Sequence, residues 1–181
     1  MRRQKGFSLI ELLIVVAIIL IIAAIAIPNL MRSKQAANQA AAASNVRTLL
    51  GAETTFSSTW PSAGYAGGLF QLGPGAAACA APHPDATNGC LIDFVMGCAA
   101  GAPGAFCPKE NYNYAISGLP AGGAPYTDFV IFATPQSANL GMTDYCASSD
   151  GVIRWKASAA PPPSPLVNTV ATCSGAPFQP L

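Results

Sequence analysis

The chain has 181 residues, of which 51% are hydrophobic and only 9% charged, with a formal net charge of +1. So even a balance excludes a surface that binds nucleic acid by counterion release and argues against any polyanionic partner. Setting aside the apolar start and its continuation leaves about 120 residues, the size of one small domain.

Arg2, Arg3 and Lys5 form a basic head, and Phe7 to Ile27 is a 21-residue apolar run in which Glu11 is the only charge. About 20 helical residues, rising roughly 1.5 Å each, cross a hydrocarbon core of ~30 Å, so this run is long enough to span a bilayer. The positive-inside rule keeps the basic head in the cytoplasm and turns everything after Ile27 outward. A carboxylate in such a run costs about 2.5–3.5 kcal/mol at the bilayer centre and therefore needs a function. An ordinary signal peptide would instead be cut after Ala24-Ile25-Ala26, releasing a secreted binding or enzymatic domain that starts at Ile27. Against that alternative stand the length of the run and the acid inside it.

Pro28 lacks an N–H, and its ring opposes the carbonyl four residues back, so a kink or a locally melted turn is expected there. Residues 29–57 carry Arg32, Lys34 and Arg47 among many alanines, and Ala42, Val46, Leu49 and Phe56 recur at helical spacing. That stripe predicts an amphipathic continuation of the same helix, packed on the following domain. Unbroken from Phe7 to Phe56, it would be roughly 75 Å long.

From Ser57 to Pro108 the chain is rich in Gly and Pro, as in Gly73-Pro74-Gly75 and Pro82-His83-Pro84. So long a connection needs staples. All six cysteines follow the apolar run, Cys79, Cys90, Cys98 and Cys107 within this stretch and Cys146 and Cys173 beyond it. An even count in an exported, loop-rich domain predicts disulfides. Zinc would need closer pairs. Sequence proximity favours Cys79–Cys90, Cys98–Cys107 and Cys146–Cys173. His83, the one histidine, has no triad or metal motif around it, and no catalytic residue is expected.

Leu91 to Met96 reads as a short strand. Period-two alternation predicts a strand over Asn111–Ile116, and a β-branched and aromatic run predicts another over Asp128–Ala133. Gly151–Lys156 alternates again, with Val152 and Arg154 on one face and Ile153 and Trp155 on the other. A long helix followed by an antiparallel sheet makes the class α+β. Asp144 and Asp150 flank a loop there and are candidates for calcium, with turn capping as the alternative. Pro161-Pro162-Pro163 and Pro165 form an arm before Cys173.

Lys5-Gly6-Phe7-Ser8-Leu9-Ile10-Glu11 through Ala17, with Pro28-Asn29-Leu30 after the apolar run, resembles the start of type IV pilins and type II secretion pseudopilins. The resemblance is specific over residues 1–57. It implies a pilin-like fold divided into a leader (1–6), a transmembrane and assembly half of the helix (7–28) and an amphipathic half (29–57). Beyond these it implies a cysteine-stapled loop region (58–110) and a sheet with a disulfide-bounded C-terminal region (111–181). It also implies cleavage between Gly6 and Phe7 by a prepilin peptidase, N-methylation of Phe7, and pairing of Glu11 with the Phe7 amine of a neighbouring subunit. Each charge alone in a dry core is costly, so the pair selects axial register.

The implied function is a structural subunit of a type IV pilus or, as the alternative, a type II secretion pseudopilin. No cofactor is expected. The implied partners are further copies of the chain in a helical filament, an assembly platform, a motor ATPase and an outer-membrane secretin. The precursor would reside in the inner membrane before joining an extracellular pilus or a periplasmic pseudopilus. Asp150 to Arg154 also resembles a late strand of that family, and Cys146 and Cys173 its C-terminal disulfide loop.

Overall fold

The computed structural model describes residues 7–74, 79, 84–98, 104–159 and 166–181. One helix, α1 (Leu9–Thr59), takes up 51 residues, roughly 76 Å at the α-helical rise. It opens after Ser8, whose backbone is extended (φ −75°, ψ 140°), and ends where the Trp60 N–H bonds the Phe56 carbonyl at 2.9 Å. Two short helices follow, α2 (Leu69–Leu72) and α3 (Phe94–Gly97). The sheet consists of β1 (Cys107–Lys109), β2 (Tyr112–Leu119), β3 (Asp128–Pro135), β4 (Thr143–Ser148), β5 (Arg154–Ala157) and β6 (Gln179–Pro180), with α4 (Val170–Ser174) inserted before β6. The six strands pair antiparallel in chain order, as a meander. This is an α+β, pilin-like layout: a long N-terminal helix packed on a small antiparallel sheet.

The helix meets the sheet along a stripe. Ala42, Ala43, Val46, Leu49, Ala52, Glu53 and Phe56 are buried, recurring at three and four residues as one helical face must. Opposite them lie Tyr114, Ile116, Ile131, Ala133, Tyr145 and Ala147, in one apolar cluster with the stripe. A second cluster covers the other face of the sheet: Val130, Phe132 and Cys146 pack with Val167, Cys173 and Phe178. Covered on both sides, β3 is buried from Phe129 to Pro135. Strands buried on both faces read as continuous apolar runs, which is why Asp128–Ala133 shows no alternation.

Several local expectations need correction. Residues 91–96 do not form a strand. The Asp93 carboxylate accepts the Met96 N–H at 2.9 Å and caps α3, while the Leu91 and Ile92 amides bond the Leu72 carbonyl at 2.7 and 3.2 Å. An N-cap aspartate outweighs the β-propensity of Phe94 and Val95 here. Asn111 is no strand residue either; with Glu110 it forms the two-residue β1–β2 turn, both at positive φ (49° and 69°), as a twisted hairpin requires. The strand expected over residues 151–156 begins only at Arg154, because the Asp150 carboxylate captures the Val152 amide in a turn. Ile153 packs on the helix-side core, but Trp155, on the same face, is 38% exposed at the sheet margin. Around Asp144, where a loop was expected, stands β4, buried from Asp144 to Ser148.

Of the kink or melted turn expected at Pro28, the melted turn does not form. The backbone stays helical on both sides of the proline. The missing N–H leaves the Ala24 carbonyl without its usual donor.

Candidate assembly interface

The start of α1 is built from Ser8, Glu11 and Leu12. The Ser8 carbonyl accepts the Glu11 N–H at 3.1 Å and the Leu12 N–H at 3.3 Å, closing the first turn. Glu11 lies in that turn, where a carboxylate faces the positive end of the helix dipole. It has no cationic partner among the described residues. Phe7, just before the helix, is 79% exposed. Gly6, the other half of the expected cut site, lies outside the described residues, as do His83 and the prolines at 161–163 and 165.

The membrane-length half of α1 stands clear of the rest of the molecule. Its most apolar window of 18 residues is entirely unburied. The first tethers to the head are side-chain bonds from Gln35 Nε2 to the Ala138 carbonyl (3.0 Å) and from Asn38 Nδ2 to the Leu140 carbonyl (2.7 Å). Leu9 to Ile27 is therefore roughly 28 Å of helix with apolar side chains on every face. Water does not tolerate a patch of this size, so a bilayer or other helices must cover it.

Above Lys34 the helix is fixed in rotation and height by polar contacts as well as packing. Asn45 Nδ2 donates to Glu110 Oε2 at 3.1 Å and to the Tyr114 hydroxyl at 3.0 Å, while Asn111 Nδ2 donates to Asn38 Oδ1 at 3.2 Å. Burial pushes the Tyr114 hydroxyl up to about 12, partly offset by the Asn45 bond. Tyr112 lies between Tyr114 and Tyr145 and is also pushed up, first by burial; its hydroxyl donates to the Thr143 carbonyl at 3.0 Å.

Glu53 is the residue the sequence reading missed. It is fully buried on the helix stripe; one carboxyl oxygen accepts the Ala66 N–H at 2.8 Å and the other has no partner. Burial pushes its pKa up to about 8, with the Ala66 bond opposing. Position 53 falls between Leu49 and Phe56 in the apolar stripe, and that spacing is the signal that would have found it.

The two calcium candidates are each met by a cation from the chain itself. Asp144 is buried on β4 with Lys156 Nζ at 3.7 Å, and Lys156 also lies 5.0 Å from the Phe178 ring centroid. Asp150 pairs with Arg154 at 2.5 Å and accepts the Ser148 hydroxyl and the Val152 amide, each at 3.0 Å. The Arg154 bond leads in holding the Asp150 carboxyl below its ordinary value. These contacts make Asp150 a turn cap, and no group of three or more metal-ligating side chains forms among the described residues.

Three disulfides link sequence neighbours, Cys79–Cys90, Cys98–Cys107 and Cys146–Cys173, with Cα–Cα separations of 5.9, 5.7 and 5.9 Å. The last ties β4 to α4 and so holds the back cover on the sheet.

The family described as the prokaryotic N-terminal methylation motif matches residues 1–27. The type IV major pilin protein PilA of Myxococcus xanthus is 50% identical over 54 residues, 30% of this chain and 24% of that protein. The type IV wide pilus major component PilA4 of Thermus thermophilus is 63% identical over 38 residues, 21% of this chain and 29% of that protein. The type II secretion system core protein G of Aeromonas hydrophila is 44% identical over 48 residues, 26% of this chain and 34% of that protein. The similarity thus spans about a quarter to a third of these relatives' length. No solved structure matches the chain.

Proposed function

Because the chain is a type IV pilin or pseudopilin by its N-terminal motif, its relatives and its helix-and-sheet layout, we propose that it is a structural subunit of a type IV pilus. The observation that carries this reading is the bare apolar half of α1, which its own head leaves uncovered. In the precursor a bilayer covers it; in a filament, the same halves of neighbouring subunits do. Contacts of this head-to-tail kind generate open helical assemblies. The role is structural and not enzymatic.

In this reading a prepilin peptidase cuts between Gly6 and Phe7, and the new amine of Phe7 is methylated. Glu11 then meets the Phe7 amine of an adjacent subunit, so a misaligned subunit would bury two unpaired charges. The assembly platform and motor ATPase lift the subunit from the inner membrane, and the secretin passes the filament outward. Mass spectrometry of the mature N-terminus tests the first step: N-methyl-Phe7 supports the reading, whereas a start at Ile27 refutes it. Glu11→Ala should insert normally but lower filament yield, and an undiminished yield refutes the pairing.

A second reading, a type II secretion pseudopilin in a shorter periplasmic filament, draws on the likeness to core protein G of Aeromonas hydrophila. The three disulfides of the head suit either location, since the periplasm and the cell exterior are both oxidising. Electron microscopy of cells with the head labelled separates the two.

A further inference from the structure

Where α1 leaves the apolar segment, a groove of about 480 Å³ opens between the helix and the loop joining β3 to β4. It is lined by Met31, Lys34, Ala37 and Asn38 from the helix, Asn139 and Leu140 from the loop, and Asn111 from the β1–β2 turn. Its walls are fixed. Gln35 and Asn38 hold the carbonyls of Ala138 and Leu140, and the Leu140 and Gly141 amides close the loop on the Ser137 carbonyl at 3.0 and 3.3 Å.

The chemistry of this lining is one-sided. Lys34 supplies a cation, three asparagines supply amide N–H donors, Met31 and Leu140 supply apolar surface, and no carboxylate is present. Lys34 has no acidic partner among the described residues. Two N–H groups on each asparagine amide leave a donor free even where one is used within the fold. Such a set suits a phosphodiester joined to an apolar body.

Position narrows the ligand further. Met31 to Lys34 lie roughly 6–10 Å beyond Ile27 along the axis. The headgroup layer is ~5–8 Å deep on each side of the hydrocarbon core, and a lysine stem reaches several ångströms back toward it. The groove therefore opens at headgroup depth, on the part of the head nearest the bilayer.

We infer that this groove seats the headgroup of an anionic phospholipid of the phosphatidylglycerol class while the subunit resides in the membrane. The phosphate lies against Lys34 and the asparagine amides, and the glycerol and first methylenes lie on Met31 and Leu140. Arg32 leaves the same turn on the opposite side and adds only diffuse attraction. This inference rests on the reading that residues 7–28 span a bilayer.

The test uses the full chain in nanodiscs of equal phosphatidylglycerol and phosphatidylcholine, counting the lipid retained on protein released intact into a mass spectrometer. Wild type should retain phosphatidylglycerol in preference, and Lys34→Gln should lower that preference about fivefold, the worth of one lysine near an anionic surface. Asn139→Asp should lower it comparably by placing a negative charge in the groove, whereas Arg32→Gln should change it less. Equal retention of both lipids by wild type, or an unchanged preference in Lys34→Gln or Asn139→Asp, overturns the inference. So does inorganic phosphate retained in lipid-free detergent as readily as the lipid. Alkaline extraction of native membranes separates the two levels: a chain that stays integrated without lipid preference fails only here, while a chain that is extracted fails both readings.

Discussion

Glu53→Gln should flatten the dependence of the head's stability on pH. The wild-type carboxyl has a folded pKa of about 8 against 4.5 when exposed, because burial penalises its anion. A raised folded pKa means that the folded state prefers the protonated form. The stability that form contributes is fully present below pH 4.5 and is lost progressively as pH rises through 8. Each pH unit in that window costs up to ~1.4 kcal/mol, so moving from pH 5 to pH 7 removes up to about 3 kcal/mol. For a head of this size that corresponds to a fall in Tm of roughly 10 °C.

Glutamine keeps an oxygen for the Ala66 N–H but never ionises. Its amide nitrogen falls where the second carboxyl oxygen has no partner, costing about 1–3 kcal/mol at every pH. The two stability curves should therefore cross, with wild type ahead at pH 5 and the variant level or ahead above pH 7.5 or thereabouts. Near-UV circular dichroism melts of the full chain in non-ionic detergent, with disulfides intact, measure this directly. Parallel curves for the two proteins across that range would refute the argument.

Three further perturbations probe packing, helix propensity and a covalent staple. A Cβ on Gly118 would lie 2.7 Å from the Tyr126 ring and 2.8 Å from the Gly67 backbone, so Gly118→Ala should cost about 1–3 kcal/mol. Gly51→Ala, on a helix position with open space around it, should instead gain about 0.5–1 kcal/mol; melts of both variants check the contrast. Replacing both Cys146 and Cys173 with serine opens a link across 27 residues, worth about 3–4 kcal/mol by the chain-entropy relation. Limited proteolysis should then cut first in residues 166–181, which back the sheet, and wild-type resistance there would contradict the stapling role.

The long helix was legible because length and apolar periodicity point the same way over 50 residues. The two best strands were legible from their side-chain patterns, period two in β2 and an unbroken apolar run in β3. Residues 143–148 were not, since Asp144, Ala147 and Ser148 dilute Tyr145 and Cys146, and only pairing with β3 and β5 makes them a strand. Residues 91–96 misled for the opposite reason: apolar content suggested a strand, while one aspartate cap decided for a helical turn. Of the interface, Phe7 and Glu11 stood out because their surroundings in sequence are so uniform. Glu53 did not, because a polar residue in an amphipathic helix ordinarily faces water; its place four residues after Leu49 and three before Phe56 was the signal that it turns inward.

The continuity of α1 has a mechanical consequence. One rigid rod serves as both the stalk below Lys34 and the innermost layer of the head above it. Tension applied to the stalk enters the head as shear between the rod and the sheet. It is borne by the seven buried side chains of the stripe and the handful of amide tethers from Gln35, Asn38 and Asn45. No disulfide touches α1; all three lie within the head, off this line of force. The covalent staples therefore keep the head's loops and back cover in shape, while the grip of the sheet along the rod is non-covalent, the peptide chain leaving α1 at Trp60 being the covalent link between them. The weakest link in the rod itself is the turn at Pro28, one hydrogen bond short of its neighbours.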